Sequence, residues 1–128
     1  MKELNKIMYA EDEPDIRMIV QVAIEATSPC QIAFAENGKD LLDKVEDFMP
    51  DLIMLDVMMP EMDGPTALKK LRENPATKDI PVIFMTAKAQ VHELEELKSL
   101  GVVDVLTKPF DPIQLYTNIK EIWDRTNG

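Results

Sequence analysis

Residues 51–64 read DLIMLDVMMPEMDG, and the reading of Asp56 decides the fold. Leu52 to Leu55 form an apolar run that leads straight into this lone carboxylate, and Val57-Met58-Met59-Pro60 follow at once. An acid set between apolar stretches is costly unless something pairs with it or uses it. A short apolar run closed by turn residues reads as a buried strand. Asp56 then stands at a strand tip.

Working outward, the same grammar recurs. Ile7-Met8-Tyr9-Ala10 runs into Glu11-Asp12-Glu13, after which Ile16, Ile19, Val20, Ala23 and Ile24 recur at helical spacing with Pro14 in the first turn. Ile32 to Ala35 is closed by Asn37-Gly38, and Leu41, Leu42, Val45, Phe48 and Met49 form the next stripe, ended by Pro50. A helix from about Pro65 carries Ala67, Leu68 and Leu71 inward. Pro81 to Met85 is the fourth run, followed by a helix with Val91, Leu94 and Leu97 on its inner side, ending at Gly101. Val102-Val103 and Val105-Leu106 mark the fifth run. Asp111-Pro112 caps a last helix with Leu115, Ile119, Ile122 and Trp123 on one stripe.

Strand and helix thus alternate five times, which predicts an α/β fold with a parallel sheet between two helical layers and right-handed crossovers. Strands covered on both faces should be almost wholly apolar, as these runs are. The 128 residues fit one domain, 1–128, and 45% apolar composition is that of a globular chain. No apolar run approaches the ~18 residues of a membrane helix, and the start MKELNK has no signal-peptide core, so a cytoplasmic protein is expected. The single Cys30 offers no internal disulfide and no metal motif. With 24 acids against 14 bases the net charge is −10, which repels nucleic acid and anionic lipid. A cation or a basic protein surface suits it better.

In parallel α/β sheets ligands sit beyond the carboxyl ends of the strands. The residues there are Glu11 and Asp12, Asp56, Thr86 and Lys108. If the first and third strands are neighbours, three carboxylates converge. Two of them about 4 Å apart repel by roughly 4 kcal/mol at an effective dielectric near 20. Such a set raises its pKa values or recruits a cation. All-oxygen ligands without His or Cys favour Mg²⁺ (or Mn²⁺) over zinc. A divalent cation beside a carboxylate, a lysine and a hydroxyl suits phosphoryl chemistry, with Asp56 as nucleophile.

AEDEPDIR (10–17), DLIMLDVMMPEMDG (51–64), VIFMTA (82–87) and DVLTKPF (104–110), in this order, resemble the receiver domain of two-component response regulators, single-domain chemotaxis regulators included. The resemblance covers about Lys6 to Asp124. It implies a flavodoxin-like (βα)5 fold with strand order 2-1-3-4-5. It also implies Asp56 as phosphoacceptor from a histidine kinase or phosphotransfer protein, and Mg²⁺ held by Glu11, Asp12, Asp56 and the Met58 carbonyl. Thr86 corresponds to the switch hydroxyl and Lys108 to the phosphoryl-contacting lysine, with a cis bond to Pro109.

Three departures from the family pattern involve four residues. Glu11 stands where aspartate is usual, and its extra methylene favours a water-mediated contact with the metal. Val105 stands where an aromatic ring is common, so the signal would run through backbone and loop shifts. Met58 and Lys88, each two residues past a site residue, occupy positions that tune hydrolysis; an apolar Met58 cannot orient an attacking water, which predicts a long-lived phosphoryl state. The implied activity is a signalling switch rather than an enzyme, catalysing only its own phosphoryl transfer and dephosphorylation. Output would come from protein binding at the fourth helix, fifth strand and fifth helix, by a monomer or a weak phosphorylation-dependent dimer. From the closing DRTNG, no effector is expected after the last helix. Competing readings are a phosphorylation-independent adaptor, a fragment of a larger regulator or hybrid kinase, and a Mg²⁺-dependent phosphatase. The phosphatase would want a second aspartate where Met58 stands.

Overall fold

The computed structural model describes residues 3–87 and 90–127. Five strands and five helices alternate: β1 (Lys6–Ala10), α1 (Pro14–Thr27), β2 (Gln31–Ala35), α2 (Gly38–Phe48), β3 (Leu52–Asp56), α3 (Gly64–Glu73), β4 (Val82–Thr86), α4 (Val91–Lys98), β5 (Asp104–Thr107) and α5 (Pro112–Asn127). The strands are all parallel, in the order 2-1-3-4-5. This is the flavodoxin-like architecture expected, and the order reverses between β1 and β3.

The pleat divides the core in two. Met8, Ala10, Ile53, Leu55, Val82, Phe84 and Val105 face one side, where they meet Leu41 and Val45 of α2 and Ala67, Leu68 and Leu71 of α3. The alternate residues Ile7, Tyr9, Leu52, Met54, Ile83 and Met85 face the other, against Val20 and Ile24 of α1 and Leu115, Ile119, Ile122 and Trp123 of α5. Every residue of β3 and β4 is buried. At about 1.5–3 kcal/mol for each large aliphatic side chain removed from water, these two clusters dominate the favourable side of folding.

Local chemistry sets the helix starts. The Asn37 side chain accepts from the Asp40 N–H at 2.8 Å to cap α2, and Asp63 accepts from Thr66 at 2.9 Å to cap α3. Asp111 accepts from the Ile113 N–H at 2.9 Å at the start of α5. α1 follows Glu13 without a side-chain cap and relies on Pro14 in its first turn.

Four sequence expectations need correction. Val91 does not face inward but is 71% exposed; α4 buries none of its residues, and only Leu94 and Leu97 lean on the core. Ile19 is exposed, because α1 turns only Val20, Ala23 and Ile24 fully inward. Met49 lies past the last turn of α2, in the left-handed region (φ 48°), and points outward. The fifth strand begins at Asp104 rather than at Val102. Among the described residues no helix is long and apolar enough to cross a membrane.

Candidate functional site

Asp56 is the last residue of β3, and Glu11 and Asp12 directly follow β1, its neighbour in the sheet. Parallel pairing therefore delivers three carboxylates to the same edge. Ligand oxygens of Glu11, Asp12 and Asp56 lie within 4.8 Å of one another. Two backbone bonds hold the strand ends level: Glu11 N–H to Ala35 O at 3.0 Å, and Val57 N–H to Met85 O at 2.9 Å. Arg17, one turn into α1, donates to the Glu11 carbonyl at 2.7 Å.

Lys108 closes the cluster from the end of β5. Its Nζ lies 2.8 Å from Asp56 Oδ2 and 2.9 Å from Glu11 Oε1. The Lys108 N–H donates to the Thr86 carbonyl at 2.7 Å, and the peptide bond to Pro109 is cis. Thr86 is buried at the end of β4, one residue beyond the rung that pairs Met85 with Asp56. Met58 is 69% exposed at the rim. Val105 is buried with Phe84 in the α2–α3 side of the core. Lys88 lies outside the described residues.

The electrostatics follow from burial. Glu11 is wholly buried, which disfavours its charge, yet the hydrogen bonds from Lys108 and the Glu13 N–H hold its carboxyl below the ordinary range. Asp56, 4% exposed, is pushed up to about 6 by burial, against the Lys108 contact and with the help of the Glu11 charge. Asp12, partly exposed, is raised by burial and by sharing a hydrogen bond with Glu11. Three carboxylates against one ammonium leave a deficit of positive charge, and hard oxygen donors at this spacing fit a divalent cation such as Mg²⁺.

A prediction follows for the metal-free protein. A folded pKa above the unfolded one means that the native state binds the extra proton. Asp56 therefore withdraws stability as pH rises from about 4 to about 6. Asp56→Asn should remove that slope and make the metal-free protein about 1–2 kcal/mol more stable at pH 7, the lower range allowing for solvent screening. Urea unfolding in chelator between pH 4 and 7 reads this out; a variant no more stable than wild type at pH 7 contradicts it.

Sequence reasoning missed Tyr9. It reads as one more apolar strand residue, but its hydroxyl donates to Glu11 Oε1 at 3.0 Å from a fully buried position. A tyrosine two residues before an acid at a strand's end shares its face, and that spacing was the available signal.

Comparison with known proteins agrees with this geometry. Residues 7–120 match the response regulator receiver domain. The chain is 31% identical over 125 residues to response regulator Rre1 of Synechocystis, covering 98% of this chain and 54% of Rre1. It is 33% identical over 115 residues to an uncharacterized 14.6 kDa protein of Leptolyngbya boryana, covering 90% of this chain and 87% of that one. The solved structure of the chemotaxis response regulator CheY4 of Vibrio cholerae superposes with a TM-score of 0.85 at 26% identity, covering 94% of this chain and 99% of that one. The chain spans about half the length of several curated relatives it matches.

Proposed function

This chain belongs to the response regulator receiver family, and from that premise we propose that it is a phosphorylation switch with Asp56 as the phosphoacceptor. The observation that carries the reading is Lys108 bridging the buried Glu11 and Asp56 carboxylates beside Asp12. An Asp56 oxygen attacks phosphorus as the phosphorus–nitrogen bond of a donor phosphohistidine breaks, and the released imidazole takes up a proton. Mg²⁺ held by Glu11, Asp12, Asp56 and the Met58 carbonyl would supply charge neutralisation at the phosphoryl oxygens. Lys108 already touches the acceptor carboxylate and transfers that contact to the phosphoryl group. The Thr86 hydroxyl moves toward a phosphoryl oxygen. The local charge goes from one negative to roughly two.

The output surface in this reading is α4, β5 and α5. It is supported by how lightly α4 is held: the helix buries no residue, and its exposed Lys98 reaches the half-buried Asp104 only at 3.6 Å, a contact of little worth. Segments with few buried contacts move at low cost. The donor protein docks on a different surface. Met18, Ile19, Val22 and Ile113 expose an apolar shelf between α1 and the start of α5, both of which spring from the site end of the sheet. A phosphatase reading lacks its general acid, since Met58 stands two residues after the nucleophile. An adaptor indifferent to phosphorylation has no use for a partly buried lysine between two buried acids.

Intact-mass spectrometry after incubation with acetyl phosphate tests the proposal. One phosphoryl adduct is expected, dependent on Mg²⁺ and lost in Asp56→Asn, and persisting beyond seconds because Met58 cannot orient a water. Ile113→Asp should slow labelling by a phosphohistidine protein while leaving acetyl phosphate labelling unchanged. An adduct that survives Asp56→Asn would move the acceptor elsewhere.

A further inference from the structure

Glu11 has little freedom left. Its Oε1 accepts both the Tyr9 hydroxyl at 3.0 Å and Lys108 Nζ at 2.9 Å, which uses both lone pairs of that oxygen. Its Oε2 accepts the Glu13 N–H at 3.1 Å, and the carboxyl shares a further hydrogen bond with Asp12, the neighbouring ligand candidate. The Lys108 contact is exchangeable, because the same ammonium also serves Asp56. The Tyr9 contact is not: the ring is fully buried in β1 and lies 6.3 Å from the Phe34 ring, with its oxygen committed to Glu11.

We propose that Tyr9 is a positioning residue for the cation site, fixing Glu11 so that Oε2, and only Oε2, is presented to the metal or to a water on it. The proposal rests on the Mg²⁺ reading above and deepens it. A glutamate has one more rotatable bond than an aspartate, so it needs an anchor that an aspartate at this position would not. Tyr9 supplies that anchor from inside the core, and neither packing nor backbone geometry demands its hydroxyl. Partners behind a metal ligand typically contribute 10–100-fold in metal affinity.

Mg²⁺ affinity by calorimetry, with no phosphodonor present, is the test. Tyr9→Phe keeps the ring and should weaken Mg²⁺ binding by roughly tenfold. Glu11→Asp, too short to reach the hydroxyl, should make the same substitution nearly silent, within about twofold. Equal losses in both backgrounds would make Tyr9 a packing residue and overturn the proposal, as would an unchanged affinity in Tyr9→Phe alone. Wild-type protein that fails to bind Mg²⁺ would overturn the site reading itself, which is a distinguishable result. A second measurement needs no variant of Tyr9: adding Mg²⁺ should perturb the near-ultraviolet tyrosine absorbance, and the signal should persist in Tyr116→Phe. Its absence in wild type saturated with Mg²⁺ overturns the proposal.

Discussion

Lys108→Met should cost the metal-free protein about 2–4 kcal/mol at pH 7, and millimolar Mg²⁺ should restore most of it. The lysine is 16% exposed and is the cation to both Glu11, which is fully buried, and Asp56. Removing one partner of a buried pair typically costs 3–5 kcal/mol, because a charge is left without compensation. Here the loss has a ceiling. A stranded carboxylate escapes by binding a proton, and at pH 7 that costs about 1.4 kcal/mol for each of roughly three pH units. The variant should therefore take up a proton on folding and gain stability as pH falls through the range where wild type changes less. A divalent cation offers the other escape, so the difference from wild type shrinks when Mg²⁺ is added. Urea unfolding with chelator and then with Mg²⁺ decides it. Equal stability in chelator would mean that the ammonium contributes no net attraction at this position.

How much of this was legible in the chain depends on what each residue has to satisfy. Runs such as Leu52 to Leu55 announce themselves because a strand covered on both faces admits nothing polar. Asp56, Thr86 and Lys108 are visible as polar residues placed at the ends of such runs. Val91 misled because amphipathic spacing assumes that a helix has something to face. α4 is short and rests on the core through partly buried leucines alone, so periodicity there carries little energy. Tyr9 was overlooked for the opposite reason: a tyrosine ring fits an apolar run, and its spacing of two from Glu11 is a faint signal until the structure gives the hydroxyl a task. Met49 looked like part of the α2 stripe, but the residue before Pro50 is disfavoured in helical conformation, so the chain turns out there.

Gly64→Ala carries the second large effect, and its cause is backbone rather than side chain. A Cβ on Gly64 would stand 2.6 Å from the Asp56 carbonyl oxygen and 3.1 Å from Val57 Cα. Neither atom belongs to a flexible side chain, so relief requires α3 or the β3 end to shift. α3 is pinned at this point by the Gly64 N–H to Val57 O bond at 3.0 Å and by the Asp63 cap. Overpacking of this kind costs about 1–3 kcal/mol, and the upper half of that range is expected here. The displaced group is the peptide of Asp56, the proposed phosphoacceptor, and a misplacement near 1 Å can reduce a reaction rate by about 10²-fold. Acetyl phosphate labelling of Gly64→Ala should accordingly slow far more than its stability loss explains. Gly101→Ala is the contrasting case. Nothing lies within 4 Å of its added carbon, but the residue sits at φ 98°, so the cost is conformational, about 1 kcal/mol. Labelling should be untouched there, because Gly101 follows α4 at the opposite end of β5 from Lys108. If Gly64→Ala instead loses stability but labels at the wild-type rate, α3 has absorbed the shift and the Asp56 peptide is held by the sheet alone. The hydrogen bond from Val57 to Met85 is the contact that would have to do it.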